Sequence, residues 1–132
     1  MSDLRKAVTE HALELGFDLV RVTSAREFAE DRSVALERLR AGLMDGLPWY
    51  HSARVLRGTD PQQLLSGARS VICLGLSYYV PRHSQRATKK HAGKVARYAR
   101  VSDYHKVMKQ RMRDYVKGLS LRLEIPIAAR WY

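Results

Sequence analysis

The run Ser70–Tyr79 (Ser-Val-Ile-Cys-Leu-Gly-Leu-Ser-Tyr-Tyr) limits the possible folds of this chain more than any other segment. It is nearly continuous in apolar side chains and of strand length, which predicts a central strand covered on both faces. Just upstream, Asp60-Pro61 places an N-cap residue before a proline at the first helical position, so a short helical turn is predicted that ends at Gly67.

Around this strand the sequence alternates helical and extended patterns. Ser2-Asp3 caps a predicted helix reaching about Gly16, with Leu4, Val8, Ala12 and Leu15 as its apolar stripe. Phe17–Val22 alternates apolar and polar residues, as a half-buried strand does. A second helix is expected over 25–41, capped by Ser24 and buried through Phe28, Val34, Ala35, Leu36 and Leu39. Residues 42–60 hold Gly42, Gly46, Pro48 and Gly58 and read mainly as loop. Trp49-Tyr50-His51 lies there, an aromatic cluster that is either a local core plug or a ligand platform, the plug being the commoner use.

Val80–Ala92 is polar and basic and reads as a surface loop, with an extended segment over Lys94–Arg100. Ser102 or Asp103 caps a long helix to about Leu123, with Val107, Met108, Met112, Tyr115, Val116, Leu119 and Leu123 inward and Lys106, Lys109, Arg113 and Lys117 outward. Pro126 ends it, and Ile127–Tyr132 reads as the start of another strand. The predicted class is α/β (α+β): a single layered domain over residues 1–132, with a mixed sheet flanked by helices.

Charge separates the two halves. Residues 1–66 hold nine Lys/Arg against ten Asp/Glu; residues 67–132 hold fifteen against only Asp103, Asp114 and Glu124. Such a field attracts polyanions in a salt-dependent way. Between Arg82 and Arg100 there is no acid, and Tyr98 is interleaved with the cations, which suits phosphate contact plus stacking or, equally, a solvated basic loop. Lys89, Lys90 and Lys94 are the candidate nucleic-acid contacts. No stretch approaches the ~20 apolar residues of a membrane span, and the first residues lack the apolar run of a signal peptide. Together with a lone cysteine these features predict a cytoplasmic protein with no membrane association.

Few residues point to catalysis on their own. The five histidines show no metal-ligand spacing, although His105 beside Asp103 and Tyr104 is the most suggestive of them. Neither Gly67 nor Gly75 sits in a nucleotide-binding glycine pattern. Cys73 lies inside the apolar strand, where burial would blunt its reactivity.

Several segments in fixed order resemble the N-terminal domain of the epoxyqueuosine reductases: Glu14-Leu15-Gly16-Phe17-Asp18, the Gly42–Tyr50 loop, Pro61–Tyr79, and Ala96-Arg97-Tyr98 through Asp103-Tyr104-His105. The resemblance implies a cobalamin-dependent iron–sulfur enzyme that reduces epoxyqueuosine in tRNA to queuosine. It implies that Ala96, Arg97 and Tyr98 lie against the corrinoid and that Arg57 makes a polar contact to it. It also implies that tRNA is the partner of the full-length enzyme, and that the catalytic aspartate and the region binding two [4Fe–4S] clusters come after Tyr132. The chain alone is then expected to be inactive. A stand-alone basic RNA-binding module and a corrinoid-binding remnant are the other readings.

Overall fold

Helix α1 (Asp3–Glu14) stops where its sequence says it should, at a glycine. Gly16 takes a left-handed φ of 81°. Its N–H bonds to the Leu13 carbonyl at 2.9 Å, and the Phe17 N–H reaches back to the Ala12 carbonyl at 3.1 Å. This pair of bonds is a Schellman motif, which satisfies carbonyls that the helix end leaves open. The same turn drives Phe17 into the core, where it is 2% exposed. The computed structural model describes residues 3–79, 96, 99 and 103–131. The remaining elements are β1 (Leu19–Ser24), α2 (Ala29–Arg40), α3 (Ser52–Gly58), α4 (Pro61–Leu64), β2 (Ser70–Gly75) and α5 (Tyr104–Leu123). The class is α/β, as expected; among the described residues the sheet is two-stranded with β1 beside β2, and antiparallel.

The chain divides into two compact units, Met1–Val20 with Leu74–Trp131, and Arg21–Cys73. In the first, α1 packs on α5. Val8 and Ala12 face Tyr115 and Leu119, each pair four residues apart and so on one side of its helix. The Tyr115 hydroxyl donates to the Val8 carbonyl at 3.1 Å, and its ring meets Phe17 edge-on at 6.2 Å. Burial pushes the Tyr115 phenol up to about 12, so the hydroxyl remains a donor at physiological pH. Arg111 Nη1 donates to the carbonyls of Leu15 and Gly16, and Arg122 pairs with Glu10 and Glu14. These basic groups sit against the C-terminal end of α1, where the helix dipole favours them.

In the second unit, α3 packs against both α2 and α4. Ala25 N–H bonds to the Arg69 carbonyl at 3.2 Å. Arg32 pairs with Glu27 and donates through Nε to Thr59 Oγ1 at 2.8 Å, while Phe28 N–H bonds to the Thr59 carbonyl, so the start of α2 is tied to the end of α3. Asp60 accepts from the Gln62 N–H at 3.0 Å with Pro61 behind it, as the Asp-Pro pair predicts. Gln62 then bridges the next turn, donating to Ala68 O and Ala25 O and accepting from Gly67 N–H.

Several expectations change. Residues 42–60 include a seven-residue helix, α3, because Ser52–Arg57 contains no breaker and Val55 anchors it at 4% exposure. The second helix starts at Ala29 instead of 25, since Ser24 still belongs to β1 and Phe28 offers no capping side chain. No residue of α2 is buried; Val34 is 48% exposed. Strand β2 ends at Gly75, and Cys73 is exposed, with only β1 beside β2 among the described residues. Leu4 and Leu15 are exposed, leaving Val8 and Ala12 as the working stripe of α1. Residues 126–131 carry no strand. Helix α5 matches its predicted span, although Val107 is 39% exposed. The predicted Val80–Ala92 loop lies outside the described residues, as does Lys94–Arg100 apart from Ala96 and Ala99.

Gly118 marks the tightest approach in the α1–α5 packing. A Cβ added there would stand 2.5 Å from His11 Nε2. Alanine at a mid-helix glycine ordinarily gains about 1 kcal/mol of helix propensity. Overpacking costs about 1–3 kcal/mol, and here the obstacle cannot swing away, because the His11 ring is stacked on Tyr115 at 5.5 Å with a side chain only 13% exposed. Gly118→Ala is therefore expected to lower the melting temperature. In a His11→Ala background the same substitution is expected to raise it, a sign reversal read by thermal denaturation of the four variants.

Candidate functional site

The residue proposed from sequence for cofactor contact, Arg57, sits in the last turn of α3 and is exposed. How α3 is launched decides what surrounds it. Helix α2 ends in a second Schellman motif, with Gly42 at φ 71° and bonds from Gly42 N–H to Leu39 O and from Leu43 N–H to Arg38 O. A chain of turns follows, held by Leu47 N–H to Met44 O and Tyr50 N–H to Leu47 O. His51 is extended and precedes the first helical residue, Ser52.

This path sets Trp49 beside the helix. Its indole is perpendicular to the Tyr50 ring at 5.6 Å, and the Arg54 guanidinium lies over it, 5.1 Å from the ring centroid. Trp49 is 53% exposed, so the aromatic cluster is not a core plug. Arg54 and Arg57, three residues apart on α3, project on neighbouring parts of one face. Neither makes an ion pair among the described residues. Little in the sequence points to this arrangement, because the Trp49–Arg54 contact depends on a helix that the surrounding glycines and proline conceal.

The second predicted region is described only in part. Ala96 is exposed; Arg97 and Tyr98 lie outside the described residues, as do Lys89, Lys90 and Lys94. Ala96 belongs to the first unit and Arg57 to the second. Just beyond, Asp103 caps α5, accepting from the His105 N–H at 3.0 Å and from Nδ1 of its ring at 3.0 Å in the tautomer protonated there. Tyr104 and His105 stack at 3.9 Å and are both exposed. The His105 side chain, then its backbone N–H, hold the Asp103 carboxyl below the usual carboxylate range.

The C-terminal half of α5 borders an open cleft of about 380 Å³, lined by Arg113, Val116, Lys117, Ser120, Leu121, Ile127 and Trp131. The described Ala96 is not among its lining residues. Among the described residues no group of three or more His, Cys, Asp or Glu could hold a metal ion, and no helix is long and apolar enough to cross a membrane.

These features describe an α/β protein that presents arginines and aromatic rings to solvent. The family model described as "Epoxyqueuosine reductase QueG, DUF1730" matches residues 58–132, and the chain belongs to that family. Among curated proteins, it is similar to an epoxyqueuosine reductase of Prochlorococcus marinus (strain NATL2A), 33% identical over 120 residues, covering 89% of this chain and 36% of the relative. An epoxyqueuosine reductase of Synechococcus sp. (strain RCC307) is 36% identical over 133 residues, covering 98% of this chain and 39% of the relative. One from Leadbetterella byssophila is 34% identical over 113 residues, covering 86% and 36%. The chain thus spans little more than a third of the length of these relatives. No solved structure matches.

The Asp103–His105 cap has a defined pH signature. A carboxyl with a lowered folded-state pKa contributes stability that is present above its unfolded value, about 3.9, and lost as pH falls through the folded value. The Asp103 carboxyl is expected to titrate below about 3.9 in a carboxyl-carbon NMR titration. Replacing its main partner, His105→Ala, should move the midpoint up toward that value, and amide exchange in the first turn of α5 should accelerate.

Proposed function

We propose that this chain is the N-terminal part of a longer epoxyqueuosine reductase, an oxidoreductase of queuosine biosynthesis that reduces epoxyqueuosine in tRNA to queuosine. The observation that carries the reading is the family match over residues 58–132, joined to relatives of that name that are 33–36% identical to it. Cobalamin and [4Fe–4S] clusters are the cofactors of the proposed enzyme, and its setting is the cytoplasm.

The residues here fit one of those cofactors and not the other. A [4Fe–4S] cluster is held by four thiolates, and Cys73 is the sole cysteine, so the clusters belong to the further, iron–sulfur part of the longer polypeptide, the partner this chain works with. A corrinoid presents a broad ring edged with amide groups. The exposed Arg57 guanidinium offers several N–H donors in a fixed fork for such groups, and the exposed Ala96 has no bulk to hold a ring away. In this reading Arg97 and Tyr98 extend the Ala96 contact, and Lys89, Lys90 and Lys94 meet tRNA phosphates. When bound, the corrinoid supplies the reducing chemistry at the epoxide, while this part of the protein binds and orients. Electrons and the proton for the opened epoxide come from the iron–sulfur part and the aspartate beyond Tyr132, so the 132 residues alone should not turn over.

Deletion of the gene is expected to leave epoxyqueuosine in place of queuosine in total tRNA, measured by mass spectrometry of nucleosides, with restoration by the full-length reading frame. Unchanged queuosine in the deletion strain would contradict the proposal. In the full-length protein Arg57→Ala removes a charge-assisted contact of about 1.5–3 kcal/mol, so corrinoid retention should weaken roughly tenfold or more.

A further inference from the structure

We propose that Trp49, Tyr50 and Arg54 form a stacking platform for an unpaired RNA base, with Arg54 and Arg57 taking the adjoining phosphates. It deepens the reductase reading and rests on it only in taking the RNA to be tRNA. It uses residues other than Lys89, Lys90 and Lys94, the nucleic-acid contacts expected from sequence.

Three observations carry it. First, Trp49 is 53% exposed although its neighbours hold it in place: Tyr50 stands perpendicular at 5.6 Å and Arg54 covers one face at 5.1 Å. A large aromatic ring ordered by two partners and still open to solvent is suited to stacking, because every base offers a π-face and little side-chain entropy remains to be lost. A guanidinium on one side of the indole adds cation–π support without blocking the other side. Second, the local charge is positive where a phosphate would follow the base. Arg54 and Arg57 lie three apart on α3 with no ion pair among the described residues. The nearby acid Asp60 already accepts from Gln62 N–H and Gln63 Nε2. Third, α3 is anchored by the buried Val55, and Arg32 ties to Thr59 just past its end, so the arginines project from a fixed element.

The same loop also exposes Leu43 and Leu47, at 69% and 40%. An apolar docking patch for a protein would use those leucines as much as the indole. The arginines and the cation–π contact favour RNA, and the two occupants make opposite predictions when only aromaticity is changed.

The test uses the 132-residue chain carrying Trp131→Phe, in which Trp49 is the one indole left among these residues. The probe is a single-stranded RNA of about a dozen nucleotides, within the usual site sizes, and the same RNA annealed to its complement. Single-stranded RNA is expected to quench the Trp49 emission and the duplex to quench it far less, because paired bases hide their faces. Trp49→Leu, which keeps apolar bulk and removes the π-system, should weaken binding of a fluorescently labelled copy about tenfold, whereas Trp49→Phe should retain most of it. The slope of log affinity against log salt should become shallower by about 0.7 in Arg54→Ala or in Arg57→Ala, one phosphate contact each. Helical circular dichroism identical to the parent shows that each variant folds. Equal affinity for Trp49→Leu and the parent would overturn the platform, as would equal quenching by duplex. No corrinoid, cluster or turnover enters the measurement. Failure here therefore leaves the reductase reading standing, and failure of that reading leaves the platform to be judged on its own result.

Discussion

The packing of α1 on α5 around Tyr115 is the constraint on which the first unit depends. Its hydroxyl satisfies the Val8 carbonyl across a separation of 107 residues, and its ring is held between His11 and Phe17. Burying such a ring contributes several times what the single hydrogen bond does, which is about 1 kcal/mol net. The hydrogen bond instead fixes the register of one helix on the other. Gly118 and Ala12 then matter through their small size, since they let His11 and Tyr115 lie flat between the helices.

The second unit uses polar ties more than apolar burial. Only Ala25, Val55 and Pro61 are buried in it, and the path of the chain is set by Arg32 with Thr59, Asp60 with Gln62, and Gln62 with Ala68. This economy has a functional side. Elements fixed by side-chain-to-backbone bonds can leave large aromatic and basic groups facing solvent, which is where Trp49, Arg54 and Arg57 are found. Among the described residues no polar or charged side chain is buried, so the chemistry-bearing groups lie at or near the surface.

The sequence announced features whose causes are local. Asp60-Pro61, Gly16 and the heptad-like spacing of α5 act within a few residues of themselves, and each appears where expected. Features set by tertiary surroundings were concealed. The run Ser70–Tyr79 has the composition of a fully covered strand, yet β2 has one described neighbour, Cys73 is exposed and Tyr78 and Tyr79 are about two-thirds exposed. Glycines at 42, 46 and 58 hid α3 because they bracket it instead of interrupting it. The Trp49–Arg54 contact was concealed for the same reason, since it depends on α3. Family membership was legible because it rests on the order of several short segments, none of which needs to be buried to be recognised.

The family match over residues 58–132 places this chain among the epoxyqueuosine reductases, and the proposal that it cradles a corrinoid rests on that match together with the exposed Arg57 and Ala96. The most direct measurement is the corrinoid content of the full-length protein purified from cells grown with cobalamin, read from the visible absorption spectrum after gel filtration. About one bound corrinoid per polypeptide, as the one-cofactor reading requires, is the predicted result. A folded protein that elutes with its iron–sulfur absorption and no corrinoid band would contradict the account.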